Sequence, residues 1–269
     1  MQQFRDSQAP SARDPAVELV EGDINCGIIV LCDHASAAIP EDYSELGLPT
    51  REFERHIAYD IGAREVALDL ARQIGSPAVL SRFSRLLIDP NRGTDDPTLV
   101  MRIADGAVVP GNAAADADEI TRRIERFHAP YHDAVDTVID NAMMAGVPPA
   151  LLSVHSFTPR FKGIVRPWHA TVLWDSDPRL PVPLVQALER EVGIITGENV
   201  PYTGRLKGDT LYRHGTMRGL AHALVEIRQD LIDDPKGWTE WSGRLARIMT
   251  ELAGLPNLNE IRHYGSGSS

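Results

Sequence analysis

Short apolar runs alternate with amphipathic stretches of helix length along almost the whole chain, and residues 26–33, CGIIVLCD, set the pattern. That run is rich in β-branched and aliphatic residues and too short for a buried helix, so it predicts a buried strand. Residues 55–73 follow with Ile57, Ile61, Val66, Ala67 and Leu70 near helical spacing and Gly75 just behind them, which predicts a helix. PAVLSRFS and RLLID predict one or two strands that stop at Pro90. Beyond a polar loop through Gly111, residues 116–145 read as a long helix carrying Ile120, Ile124, Phe127, Tyr131, Val135, Val138 and Ile139. PALLSVHSF, HATVLWD and ALVEIRQDLI predict further strands, and VPLVQALEREVG and TEWSGRLARIMTELAGL further helices. Strands separated by helices form βαβ units, so the expected class is α/β: a mixed, mostly parallel sheet with helices on both faces. No Pro/Gly/Ser linker divides the chain, so one domain is expected over residues 15–262, between a disordered arm at 1–14 and a flexible tail at 263–269.

Charge and cysteine usage narrow the function classes. The net charge of −11 carries no basic block, which argues against a nucleic-acid surface and means that any anionic ligand needs a local cluster of arginines. Cys26 and Cys32 flank one extended strand, whose geometry holds them apart, so free thiols and a cytoplasmic setting are expected. The N-terminal MQQFRDSQAPSARDP has no apolar signal core, and no apolar run approaches the ~18 residues of a membrane span. Gly-x-Ser-x-Gly, Gly-x-Gly-x-x-Gly and phosphate-loop motifs are absent, which removes serine-elbow, dinucleotide and nucleotide enzymes.

Polar, reactive residues gather where the apolar runs stop. Asp33-His34 ends the first run, IDPNR at 88–92 the next region, VHSF at 154–157 a later strand, and VEIR at 225–228 a late one. Ligands bind outside the carboxyl ends of the strands in open sheets of this class. Two neutral imidazoles and a carboxylate can bind zinc and leave one position open for water. A glutamate kept off the metal can move the proton, and an arginine beside an asparagine can hold a carboxylate by paired hydrogen bonds. Together these parts suit hydrolysis of an amide on an acidic substrate.

From Gly27 to Leu231 the chain resembles the N-formylglutamate amidohydrolases, a branch of the zinc-carboxypeptidase-like fold, through DHASAAIP, HIAYDIGA, SRLLIDPNR, HSFTP, YTGR and HGTMRGLAHALVEIRQD. HSF and EIR are similar to the zinc-carboxypeptidase elements with the last metal-binding histidine and the catalytic glutamate. DPNR is similar to the DLNR element of aspartoacylases, whose arginine grips the substrate's carboxylate. The resemblance implies that His34 and His155 bind zinc or another divalent metal, that Glu226 is the general base, and that Arg92 with Asn91 binds substrate. The chain departs from the carboxypeptidases at Ala37, where their His-x-x-Glu pair has its glutamate. Asp60 in HIAYDIGA matches an aspartate of the family pattern and is the expected carboxylate ligand. Asp33 and Glu41 are the other options, and Asp33 could instead orient His34.

Arg85 is a candidate second contact for a doubly charged substrate. His214 and His222 are candidates for stabilising an oxyanion or lining the pocket, with a structural hydrogen bond the default for each. His128 and His132 lie four apart on the long helix without an acidic partner pattern, so packing is their expected role. The expected partner is a small acidic molecule, N-formylglutamate the nearest choice. The competing readings are a deacylase or peptidase for another N-acyl amino acid, and a non-catalytic binder of a small anion. The acyl group is set by loops such as TPRFKGIVRPW, whose shape the sequence does not give.

Overall fold

Residues 16–268 are described by a computed structural model; the arm expected at 1–14 and the final residue of the expected tail lie outside them. Seven strands form one sheet: β1 Val17–Val20, β2 Ile28–Cys32, β3 Ala78–Ser81, β4 Ala150–Phe157, β5 Ala170–Leu173, β6 Thr196–Glu198 and β7 His222–Arg228. Their order is β1-β3-β2-β4-β7-β5-β6. The β2–β3, β2–β4, β4–β7 and β5–β6 pairs are parallel, and β1–β3 and β5–β7 antiparallel, so the sheet is mixed and mostly parallel as expected. The longer helices are α1 Ala63–Ile74, α2 Ala117–Arg123, α3 Ala129–Met144, α4 Pro181–Glu189 and α5 Pro235–Leu252, with a π-helical turn joining α2 to α3. Among the described residues no helix is long and apolar enough to cross a membrane. Cys26 and Cys32 are both free thiols.

Side-chain parity decides what each face of the sheet carries. Ile28, Val30 and Cys32 of β2, Ala150, Leu152 and Val154 of β4, and Ala223, Val225 and Ile227 of β7 pack with α1, α4 and α5 in one core. The alternate residues Ile29, Leu31, Leu151 and Leu224 pack with α3 in a second core on the other face. Successive strand residues point to opposite faces. Continued toward the strand ends, the second set becomes Asp33, Ser153, His155 and Glu226, so the polar residues emerge together on the α3 face. In the β4–β7 ladder Glu226 stands directly beside His155. A one-residue slip in either strand would bury one of them among α1, α4 and α5.

Three sequence expectations change. RLLID is not a strand: Leu86, Leu87 and Ile88 are fully buried in a turn. Its carbonyls are satisfied by side chains, Leu86 accepting from Asn112 and Leu87 from Arg123, so buried backbone needs no sheet there. The helix expected from residue 55 starts at Ala63, because Gly62 takes a left-handed φ of +77° and a Cβ there would stand 2.1 Å from the Ile232 carbonyl. The edge strands β1 and β6 were not expected; both are only partly buried and lack an apolar run.

Candidate active site

His34 just past the end of β2, Asp60, and His155 near the end of β4 converge, all buried, with one donor atom of each within 4.8 Å of the others. Asp60 arrives from the turn before α1, where its backbone N–H donates to the His34 carbonyl at 3.0 Å. Its Oδ2 lies 2.8 Å from His155 Nδ1 and 3.4 Å from His34 Nδ1, and accepts from the Ser156 N–H. The far nitrogens face other carboxylates: His34 Nε2 stands 2.7 Å from Asp89 and His155 Nε2 2.8 Å from Asp33. An ionised carboxylate only accepts, so each Nε2 carries a hydrogen; His155 Nδ1 also donates to Asp60 until a bound cation displaces that proton, after which each Nδ1 would be the donor atom toward the centre. This donor set, two oriented imidazoles and a carboxylate, could hold a divalent metal ion.

Without a metal, the charges of the cluster compensate one another. Burial pushes the Asp33 and Asp60 carboxyls up, but the histidine charges and hydrogen bonds outweigh it and hold both far below the ordinary range. For His155 burial works downward, and the bonds to Asp33 and Asp60 overcome it to raise the imidazole to about 10. Asp33 also accepts from Tyr131, Ser153 and Thr210, which fixes it as a support.

Glu226 lies beside this cluster and lines a cavity of about 630 Å³. Its Oε2 is buried without a hydrogen-bond partner among the described residues. Burial raises the carboxyl to about 7, opposed by the charge of His155 and, more weakly, by those of Arg85 and Arg166. Arg228 does not pair with it; that guanidinium binds Asp230 and the carbonyls of residues 166–168. Arg85, Asn91 and Arg92 line the same cavity. Arg85 is held by Asp89 at 2.8 Å and lies 3.2 Å from His34 Nδ1. Asn91 accepts from the Thr210 N–H through its Oδ1, which leaves its NH₂ group as a donor. Among the described residues Arg92 bonds only to neutral oxygens, of Thr98 and Asn91.

The model of the family described as N-formylglutamate amidohydrolase matches residues 26–233, most of the chain. The chain belongs to this amidohydrolase family. Gene product Atu2144 from Agrobacterium tumefaciens has a similar structure, with a TM-score of 0.82 and 31% identity over 88% of this chain and 94% of that one. N-formylglutamate amidohydrolase from Ralstonia eutropha JMP134 shares the fold, with a TM-score of 0.68 and 20% identity over 89% of this chain and 97% of that one. No protein of curated function matches the chain.

Within the family's span, the remaining candidates separate. Asp33 does not orient His34: β2 ends at Cys32, and the turn that follows sends Asp33 to His155 and leaves His34 to Asp89. Glu41 is exposed and outside the donor group. His222 lines the cavity, with Nδ1 on the Leu220 carbonyl. His214 does not; it is buried between His132 and Asp136. His128 and His132 each bond to a backbone carbonyl, of Arg92 and Pro90, and so brace the DPNR segment. Sequence reasoning missed Asp89, Asp209 and Arg166. Asp89 stands inside the quoted DPNR motif, where its position offered a signal. Asp209 lines the cavity with its carboxyl raised to about 7 by burial, and Arg166 sits in the TPRFKGIVRPW loop.

Proposed function

We propose that the protein is a metal-dependent amidohydrolase that removes the formyl group from N-formyl-L-glutamate, releasing formate and glutamate. One observation carries the reading: the buried His34–Asp60–His155 donor group lies beside a buried glutamate with an unpartnered oxygen. His34, Asp60 and His155 would hold the ion, zinc being the natural choice for two imidazoles and a carboxylate. A bound divalent metal supplies Lewis acidity toward the acyl oxygen and the water. Glu226 accepts the proton of the attacking water and delivers it to the leaving nitrogen, a role that a carboxyl poised near neutrality suits. Arg92 and the Asn91 amide hold a substrate carboxylate, and Arg85 adds positive charge beside the cluster. With an ion bound, Asp89 and Asp33 would hold both imidazoles in the tautomer that leaves Nδ1 as the donor atom.

The test is direct. Protein purified without a polyhistidine tag is analysed for metal and incubated with N-formyl-L-glutamate while formate is followed. About one divalent ion per chain with formate release is expected; a metal-loaded protein that leaves the substrate intact would overturn the reading.

A further inference from the structure

Among the described residues, one cavity cation makes no salt bridge to a carboxylate. Arg166 is 6% exposed and lines the cavity, yet among the described residues its guanidinium meets only neutral acceptors. Nη2 donates to the Tyr202 hydroxyl at 2.7 Å, and Nη1 reaches the Thr158 hydroxyl and carbonyl at 3.3 and 3.5 Å. Its Cζ lies 5.1 Å from the ring centres of Phe161 and Tyr202 and 5.7 Å from that of Phe157. Such faces stabilise a guanidinium without neutralising it. Buried charges are normally paired, and among the described residues Arg166 pairs with no carboxylate. Arg85 differs: it is already committed to Asp89 and faces Asp60 at 3.6 Å.

The loop holds this guanidinium in place. The Arg166 N–H donates to the Pro159 carbonyl at 3.0 Å, closing the hairpin of Arg160–Phe161 and Ile164–Val165. Arg228, two residues beyond Glu226, donates to the carbonyls of residues 166–168 at 3.3 to 3.4 Å. The arginine is thereby tied to the strand that carries Glu226. Among the described residues Arg92 is the other cavity arginine without a carboxylate hydrogen-bond partner, so the cavity presents two guanidiniums in no salt bridge for one ligand.

The geometry points to Arg166 as the residue that selects a dicarboxylate: it binds the second carboxylate of the substrate while Arg92 binds the first. This rests on the proposed amidohydrolase reading and replaces Arg85 as the second contact. A substrate with one carboxylate leaves a buried guanidinium unpaired, and that penalty is the source of discrimination.

The experiment uses the full-length, metal-loaded protein and two probes, glutarate and butyrate, whose binding is measured calorimetrically beside the kcat/KM ratio for N-formylglutamate over N-formylnorvaline. The wild type is expected to prefer the diacid in both assays by about tenfold to a hundredfold, the worth of one charge-assisted pair. Arg166→Gln is expected to bring both ratios close to one. Should that variant fail to fold, Arg166→Lys is read in the same way; its ammonium keeps the charge but not the planar fork, so a reduced preference is expected. No preference for glutarate in the wild type, or a preference that survives in Arg166→Gln, overturns the proposal. A wild type that prefers glutarate but hydrolyses neither formyl compound sinks the amidohydrolase reading and leaves the dicarboxylate site standing.

Discussion

Glu226 separates two roles that a buried carboxylate can play. A structural glutamate would be bonded to an arginine, whereas Glu226 has a buried, unpartnered oxygen and a carboxyl raised to about 7. Glu226→Gln removes the base without removing a metal donor, so metal content and melting temperature are expected to hold while kcat falls roughly a hundredfold to ten-thousandfold. A metal-loaded variant with near-normal kcat rules Glu226 out as the base. The sign of the pH dependence follows from the same group: the base works only when ionised, so activity falls as pH drops through its pKa. A bound cation pulls that pKa down from about 7 toward the ordinary 4.5, so the acid limb of kcat/KM is expected between those values and is expected to vanish in Glu226→Gln. The residues of the donor group were legible because His34, Asp60 and His155 sit in distinct motifs. Their supports were not, since which carboxylate meets which imidazole depends on the turn after Cys32 and on backbone paths far apart in sequence.

At the scale of elements, the central strands were legible as continuous apolar runs because both their faces are covered, and β1 and β6 were not because an edge strand is half exposed. RLLID shows the converse: a buried apolar run is not a strand when Asn112 and Arg123 satisfy its carbonyls. The start of α1 has functional weight, since Gly62 follows Asp60 by two residues. Gly62→Ala adds a left-handed penalty and a clash with Ile232, so a loss above about 2 kcal/mol and reduced metal content are expected together in melting and metal assays. Retained stability and metal would show that the turn tolerates a Cβ. Asp209, whose carboxylate accepts the Tyr212 N–H at 2.6 Å, sets a pH dependence of its own. Its folded pKa of about 7 exceeds the unfolded 3.8, so its contribution is fully present below 3.8 and is lost as pH rises through 7. The loss amounts to at most about 4 kcal/mol at 1.36 kcal/mol per unit. Asp209→Asn keeps an acceptor for Tyr212 and cannot ionise, so its urea midpoint relative to wild type is expected to rise between pH 5 and pH 8. Parallel curves would place the Asp209 carboxyl at an ordinary pKa.

Over the whole molecule, strand parity and register deliver side chains from β2, the turn before α1, β4 and β7 to one point, which ties metal binding to global stability. The alternation of strands and helices made the single α/β domain legible, but the cavity was not, because Arg166 and Asp209 reach it from loops that carry no periodic signal. A ligand that binds only the folded state stabilises it, by about 2.7 kcal/mol at a hundredfold excess over Kd. For a chain of this size that corresponds to roughly 5–10 °C in melting temperature. Exhaustive chelation is therefore expected to lower the melting temperature by that amount, and added zinc to restore it. The donors must be deprotonated to bind, and without metal His155 keeps its proton up to about 10, so the zinc-dependent shift is expected to shrink from pH 8 to pH 6. Two variants distinguish a built site from adventitious binding. Glu226→Gln retains all three donors and is expected to show the full shift, whereas Asp60→Asn exchanges a charged donor for a neutral amide and is expected to show a much smaller one. Equal shifts in wild type and Asp60→Asn would remove Asp60 from the donor group, and equal loss in both variants would make Glu226 a ligand rather than the base.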